Sequence, residues 1–164
     1  MAPVGPSKDR APSSPANFPQ FDASLVGAVA ARVQIAAIEL VKAQFTRVDD
    51  DHFQGAVGER KPDRYGLEVS WQANENQRLL SCLIEFGTIF DAPPEPFEIR
   101  ASFRLLYEIQ PGDPLTDAQL GNFTYWNALF NAWPYWREYL SSTLNRAHLP
   151  RFVVPVMGVP RASG

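Results

Sequence analysis

Phe97-Glu-Ile-Arg-Ala-Ser-Phe-Arg-Leu-Leu-Tyr-Glu-Ile109 is the stretch on which the fold turns. Phe97, Ile99, Ala101, Phe103, Leu105, Tyr107 and Ile109 alternate with Glu98, Arg100, Ser102, Arg104, Leu106 and Glu108. Successive side chains of a strand point to opposite faces, so a period of two predicts a strand with one apolar and one wet face. Just before it, Asp91-Ala-Pro-Pro-Glu-Pro96 is a rigid turn that cannot carry a ladder of hydrogen bonds. Arg78 to Phe90 is a second strand, with Leu80, Cys82, Ile84 and Phe86 on one side and Leu79, Ser81, Leu83 and Glu85 on the other. Asn74 to Gln77 is a turn, and Tyr65, Leu67, Val69, Trp71 and Ala73 alternate with polar neighbours in a third strand. Strands this closely spaced form an antiparallel meander whose apolar face needs a cover.

Upstream the pattern is less regular. Gln34 to Arg47 carries Ile35, Ile38, Leu40, Val41 and Phe45 at spacings that suit either a helix or a strand, and it is read as a fourth strand. Asp22 is an N-cap candidate for a short helix over Ala23 to Arg32. Val48 to Arg64, with Asp49, Asp50, Asp51 and Pro62, reads as a long polar crossover loop. Residues 1–21, rich in Pro, Ser and Ala, are expected to be a disordered tail, residues 22–157 one domain, and residues 158–164 a flexible end.

The cover is expected downstream. Thr116 with Gln119 three residues later is a capping-box signature, opening a helix that should run to about Ala147. Eight of the chain's twenty aromatic residues fall between Phe123 and Tyr139, three of the four tryptophans among them. On a uniform helical wheel Phe123, Trp126, Phe130, Trp133, Leu140 and Leu144 make a broad stripe, and Tyr125, Leu129, Trp136 and Tyr139 extend beyond it, so contacts on more than one side are expected. Pro134 should kink or restart the helix. The expected fold is therefore α+β: a four-stranded antiparallel sheet, a meander, with a short N-terminal helix and a long, Pro-kinked C-terminal helix packed on it.

Composition narrows the function classes. The chain has 164 residues, 45% apolar and 20% charged, enough for one domain with a core of its own. A net charge of −3 gives no footprint for nucleic acid. The single cysteine, Cys82, rules out an internal disulfide framework and suits a reducing compartment, so a cytoplasmic location is expected. The apolar run from Leu25 to Ala31 is too short to span a bilayer. Catalytic groups are scarce: Cys82 sits mid-strand with no histidine nearby in sequence, His52 beside the aspartate run lacks calcium-loop spacing, and Gly55-Ala-Val-Gly58 opens no strand-to-helix turn. Arg137 and Glu138, beside the tryptophans, are expected to pair with neighbours or with a second subunit. No metal and no cofactor are expected.

Ala132-Trp-Pro-Tyr-Trp-Arg-Glu-Tyr-Leu140, then Leu144-Asn-Arg-Ala-His-Leu-Pro150 and Val154-Pro-Val156, resembles the SecB export-chaperone family. That family's helix carries an aromatic-Pro-Tyr-x-Arg-Glu signature followed by an apolar-Pro pair and a Pro-Val strand. Gly87-Thr-Ile-Phe90 is similar to its Gly-Gly-Ile-Phe strand end. The beginning, Ala30-Ala-Arg-Val-Gln-Ile35, is closer in style to the SecB-like chaperones associated with toxin–antitoxin systems.

The resemblance implies a non-enzymatic, ATP-independent holdase that binds unfolded polypeptides, for export or to protect an antitoxin. It also implies a homotetramer built as a dimer of dimers, with no nucleic acid and no membrane insertion. Leu83 stands where export-coupled members carry an acidic residue for motor docking. Client contact is expected at Phe53, Trp71, Leu83, Phe86, Phe90 and Trp136. The core of the helix and the oligomer interface are expected at Trp126, Phe130, Trp133, Tyr135, Arg137, Glu138 and Leu140. Two other readings stand beside this one: a module dedicated to a single partner such as an antitoxin, and a small-ligand or thioesterase-like protein, which would need a carboxylate or histidine facing an acyl pocket.

Overall fold

The computed structural model describes residues 19–47, 62, 64–74, 76–90 and 96–155. Its elements are α1 (Ala23–Ala30), β1 (Val33–Arg47), β2 (Arg64–Asn74), β3 (Leu79–Phe90), β4 (Phe97–Ile109), α2 (Asp117–Phe123), a π turn (Thr124–Ala128) and α3 (Leu129–Arg146). The architecture is α+β, with four strands in one antiparallel sheet ordered β1-β4-β3-β2. The meander is β2-β3-β4, and β1 pairs with the far side of β4. The chain between β1 and β2 therefore crosses from one sheet edge to the other. Most of that crossover, Phe53 and His52 included, lies outside the described residues, as do residues 1–18 and 156–164.

Register explains which side chains share a face. Trp71, Cys82, Leu105 and Ile38 stand in one row across the sheet. All are apolar and all belong to the helix side, where Leu80, Cys82, Ile84, Phe86 and Phe90 of β3 and the odd positions of β4 from Phe97 to Tyr107 are buried. The opposite face is wet: Ser102 donates to Glu85 at 2.8 Å, and Glu39 lies 3.6 Å from Arg104. β1 has register shifts between Ile35 and Ala37 and between Leu40 and Lys42. Each inserts one residue, so the residues facing the helix side follow each other at 35, 38, 40, 43 and 45. Those two bulges are why β1 shows no clean period of two.

The helix begins as its capping box requires. Thr116 Oγ1 accepts from the Gln119 amide at 3.2 Å, and the Gln119 side chain accepts from the Thr116 amide at 2.8 Å. No restart occurs at Pro134, which lies inside α3. The carbonyl it leaves without an amide is that of Phe130, and both residues are on the exposed side, where water can take the free acceptor. The change of geometry comes earlier, in the π turn, where the Leu129 amide bonds the Thr124 carbonyl five residues back. A π turn holds an extra residue, so a uniform wheel falls out of phase beyond it. The buried positions become Leu129, Ala132, Trp136, Leu140 and Leu144, and the stripe through Trp126, Phe130 and Trp133 becomes a flank of the helix.

α3 ends in a Schellman arrangement. His148 adopts a left-handed φ of 55°, the Leu149 amide bonds the Leu144 carbonyl at 2.9 Å, and the His148 amide bonds that of Asn145 at 3.2 Å. The turn sends residues 151–155 back along α3.

Trp136 seals the layers. It is 2% exposed and lies flat on Phe86, with ring centroids 5.2 Å apart and planes 7° from parallel. Phe86 also meets Phe103 and Trp133 edge-on, and Phe90 stacks on Phe97 at 4.3 Å. Beneath α2, the Cys82 thiol is fully buried and touches the Thr124 hydroxyl at 3.4 Å, while that hydroxyl donates to the Leu120 carbonyl at 2.7 Å. Burial pushes the Cys82 thiol up to about 12, against a weaker downward pull from Thr124. Burial likewise raises the Tyr107 phenol above its ordinary value, with the Asn131 hydrogen bond opposing it.

Truncating Trp136 removes most of this contact. Trp136→Ala should cost about 3–5 kcal/mol in chemical denaturation, and Phe130→Ala, on the exposed flank, about 1 kcal/mol or less. Stability should also fall at alkaline pH. Because the unfolded thiol loses its proton near 9.0 and the folded one near 12, the contribution of neutral Cys82 is intact below pH 9 and is lost between pH 9 and 12. Melting temperatures followed across that range should decline less steeply for Cys82→Ala than for the native chain.

Candidate binding surface

The residues expected to face a client divide sharply. Phe86, Phe90 and Trp136 are 4%, 0% and 2% exposed and form the sheet–helix core, so they are not presented to a client by this protomer. The physical reason is register: Phe86 and Phe90 fall on the same face as Cys82 and Ile84, and the π turn rotates Trp136 onto them. Trp71 is half-buried against the same core, with its indole nitrogen 3.6 Å from where a side chain on Gly121 would begin. Leu83 is half-buried on the wet face of β3.

The helix residues expected at an interface divide too. Leu140 is wholly core. Trp126 and Trp133 are half-buried on the core's margin, and Phe130 and Tyr135 are each 44% exposed. Glu138 is exposed, beside a concavity it shares with Ser141, Asn145 and Phe152. Arg137 finds its partner within the chain: Nε donates to the Val154 carbonyl at 2.9 Å.

Two stretches of the chain outside any helix or strand lie against the flank of this helix. At its start, Asn122 donates to the Gln20 carbonyl and accepts from the Asp22 amide, each at 3.1 Å, and the Trp126 indole donates to the Pro19 carbonyl at 3.1 Å. Phe21 meets the Trp126 ring edge-on at 5.7 Å. Residues 19–21, expected to belong to a disordered tail, are thus packed on the helix, because Phe21 and the main chain find partners there. Further along, the Trp133 indole donates to the Pro155 carbonyl at 2.9 Å, beside the Arg137 contact with Val154. Phe152 lies against Phe90 and Tyr65.

A second surface follows the β1 edge. Ile35, Leu40 and Val41 are 42%, 50% and 40% exposed. Leu40 pairs with Phe103, whose ring lies 6.4 Å from that of Tyr135, so the patch continues onto the helix. The sequence pattern missed these residues as a site because the β1 bulges hid which of them share a face. It missed Asn122 because an isolated asparagine inside a helix carries no motif.

Among the described residues there is no group of three or more His, Cys, Asp or Glu side chains able to hold a metal. A concavity of about 330 Å³ at the β4–α2 connection is lined by Arg32, Arg78 and the 109–115 segment, with Arg32 held to the Gln110 and Asp113 carbonyls, so its guanidinium pins the loop. No described helix is long and apolar enough to cross a membrane.

No protein-family model matches the chain, and no curated protein does. Among solved structures, the Mycobacterium tuberculosis SecB-like chaperone Rv1957, in complex with a ChAD peptide from the Rv1956 HigA1 antitoxin, superposes with a TM-score of 0.63 at 20% identity, over 82% of this chain and 97% of that one. A protein of unknown function from Streptococcus agalactiae gives a TM-score of 0.48 at 11% identity, over 75% of this chain and 96% of that one, too loose a likeness to argue from. With the sheet order, the long covering helix and the flank that holds irregular segments, this likeness assigns the chain the fold of a SecB-like chaperone.

Proposed function

We propose that the protein is an ATP-independent holdase that binds aggregation-prone polypeptide segments in extended form, with an antitoxin as one candidate client, and that it works in the cytoplasm. The observation that carries this reading is the helix flank, which already holds two stretches of irregular main chain through side-chain donors. The neighbouring SecB-like fold, solved with an antitoxin peptide, supports the same direction. Exposed apolar rings and aliphatic side chains suit such a role, since they offer contact area without demanding one partner geometry. The dedicated alternative, a module for a single antitoxin, rests on the identity of that neighbour's peptide. A broad range of clients would set it aside.

The working form in this reading is a homo-oligomer, a dimer of dimers. β1 is an edge strand of fifteen residues with Ile35, Leu40 and Val41 uncovered. A long edge of this kind invites pairing, and a second copy would cover both its main chain and its apolar side chains.

Two measurements test the proposal. At near-stoichiometric ratio and without nucleotide, the purified protein should suppress light scattering by a chemically unfolded client. Unabated scattering in the presence of folded protein rules the holdase out. Leu40→Asp should lower the native mass seen by light scattering after size exclusion, whereas an unchanged mass would remove β1 from the interface.

A further inference from the structure

The contacts on the helix flank share one chemistry. Asn122, Trp126, Trp133 and Arg137 each donate from a side chain to a main-chain carbonyl: Gln20, Pro19, Pro155 and Val154 respectively. Both indoles bond the carbonyl of a proline. Phe130 lies between the two indole-bearing residues in the sequence. Both captured stretches also run the same way. Asn122 holds Gln20 and Asp22 while Trp126, later in the helix, holds Pro19, and Arg137 holds Val154 while the earlier Trp133 holds Pro155. One continuous extended chain, antiparallel to the helix, would make these bonds in this order.

Donors of this kind beside aromatic rings match what an extended proline-bearing chain offers. A polyproline II segment makes no hydrogen bonds of its own, so its carbonyls are free to accept, and its shape costs little entropy to hold. Trp126 and Trp133 are separated by about 10 Å along the helix axis, the length of about three such residues. Phe130, between them in the sequence, is 44% exposed.

Asn122 shows what the occupant supplies. It is 7% exposed, and its amide oxygen and nitrogen are both taken by the main chain of residues 20–22. Removal of residues 19–21 would take the Gln20 carbonyl from a buried donor. A client carbonyl can take that place, as water can once the site opens. Asp22 is fixed as the N-cap of α1, whereas residues 19–21 before it are held to the helix by these contacts, the kind of short segment that opens at low free energy.

We propose that the stripe from Asn122 to Arg137 is a docking track for an extended client segment with a proline followed two positions later by an aromatic residue, as in Pro19-Gln-Phe21. The chain's own residues 19–21 are its resting occupant, displaced on client binding. This rests on the peptide-binding reading above and adds the site, the ligand chemistry and an internal competitor.

The test uses a fluorescein-labelled peptide of residues 15–22, Pro-Ala-Asn-Phe-Pro-Gln-Phe-Asp, and the full chain. Loosening the internal occupant with Phe21→Ala should tighten peptide binding at least about fivefold by anisotropy. Adding Trp126→Phe, which keeps a ring but removes the indole donor, should weaken it about fivefold, the effect of one hydrogen bond. Equal affinity for Phe21→Ala and native protein, or no effect of Trp126→Phe, overturns the track. Should Phe21→Ala fail to fold, the native protein decides: excess peptide should move the Trp126 indole resonance and leave that of buried Trp136 in place, and a stationary Trp126 signal overturns the proposal. A client-aggregation assay on the same proteins separates the two readings. Suppression without peptide binding sinks the track and leaves the holdase, and peptide binding without suppression does the reverse.

Discussion

The flat contact of Trp136 on Phe86 is the interaction on which the other features depend. The sheet is wet on one face and continuously apolar on the other, and an apolar face of that size is stable only when covered. α3 provides the cover and the Trp136 ring fixes its rotation. Once that ring is seated, Leu140 and Leu144 must point at the sheet, and the remaining rings of the helix must point elsewhere. Trp126, Phe130 and Trp133 become a flank, and Tyr135 reaches toward β4 and the β1 edge.

The π turn makes this rotation compatible with the start of the helix. α2 packs against α1 and is anchored by its capping box, whereas α3 packs on β3 and β4. Two helical segments in line with different burial faces need a slip of phase between them, and the extra residue of the π turn provides it. Thr124 stabilises the slip by bonding the Leu120 carbonyl with its hydroxyl, in contact with the buried Cys82 thiol. The flank that results is apolar in its rings and polar at their tips, so it can bury extended main chain without leaving its own donors unpaired. That combination ties the helix irregularity to the binding role proposed above.

The strands, the N-cap at Asp22, the capping box at Thr116 and the α+β class were all legible in the sequence, because each follows from local periodicity or local hydrogen-bond chemistry. β1 was legible only as an ambiguity, since its two bulges break the alternation that marks a strand. The proposed binding surface was legible in part. An excess of rings on the helix was visible, with Trp126 and Phe130 expected at its core and oligomer interface, but Trp136, Phe86 and Phe90, expected to contact a client, lie in the core. A wheel of constant pitch cannot see a π turn, and an isolated Asn122 or the end of a Pro-rich stretch gives no sign that the two will meet.

What the sequence determined by itself is the inventory: which segments extend, which coil, where they begin, and that one sheet face would need a large aromatic cover. Those outcomes depend on interactions within a few residues. Only the tertiary structure decided which rings are the cover and which lie on the flank of the helix. That choice depends on the phase of a helix set by its contacts with two different layers, and on segments about one hundred residues apart, Asp22 and Asn122, meeting across the fold.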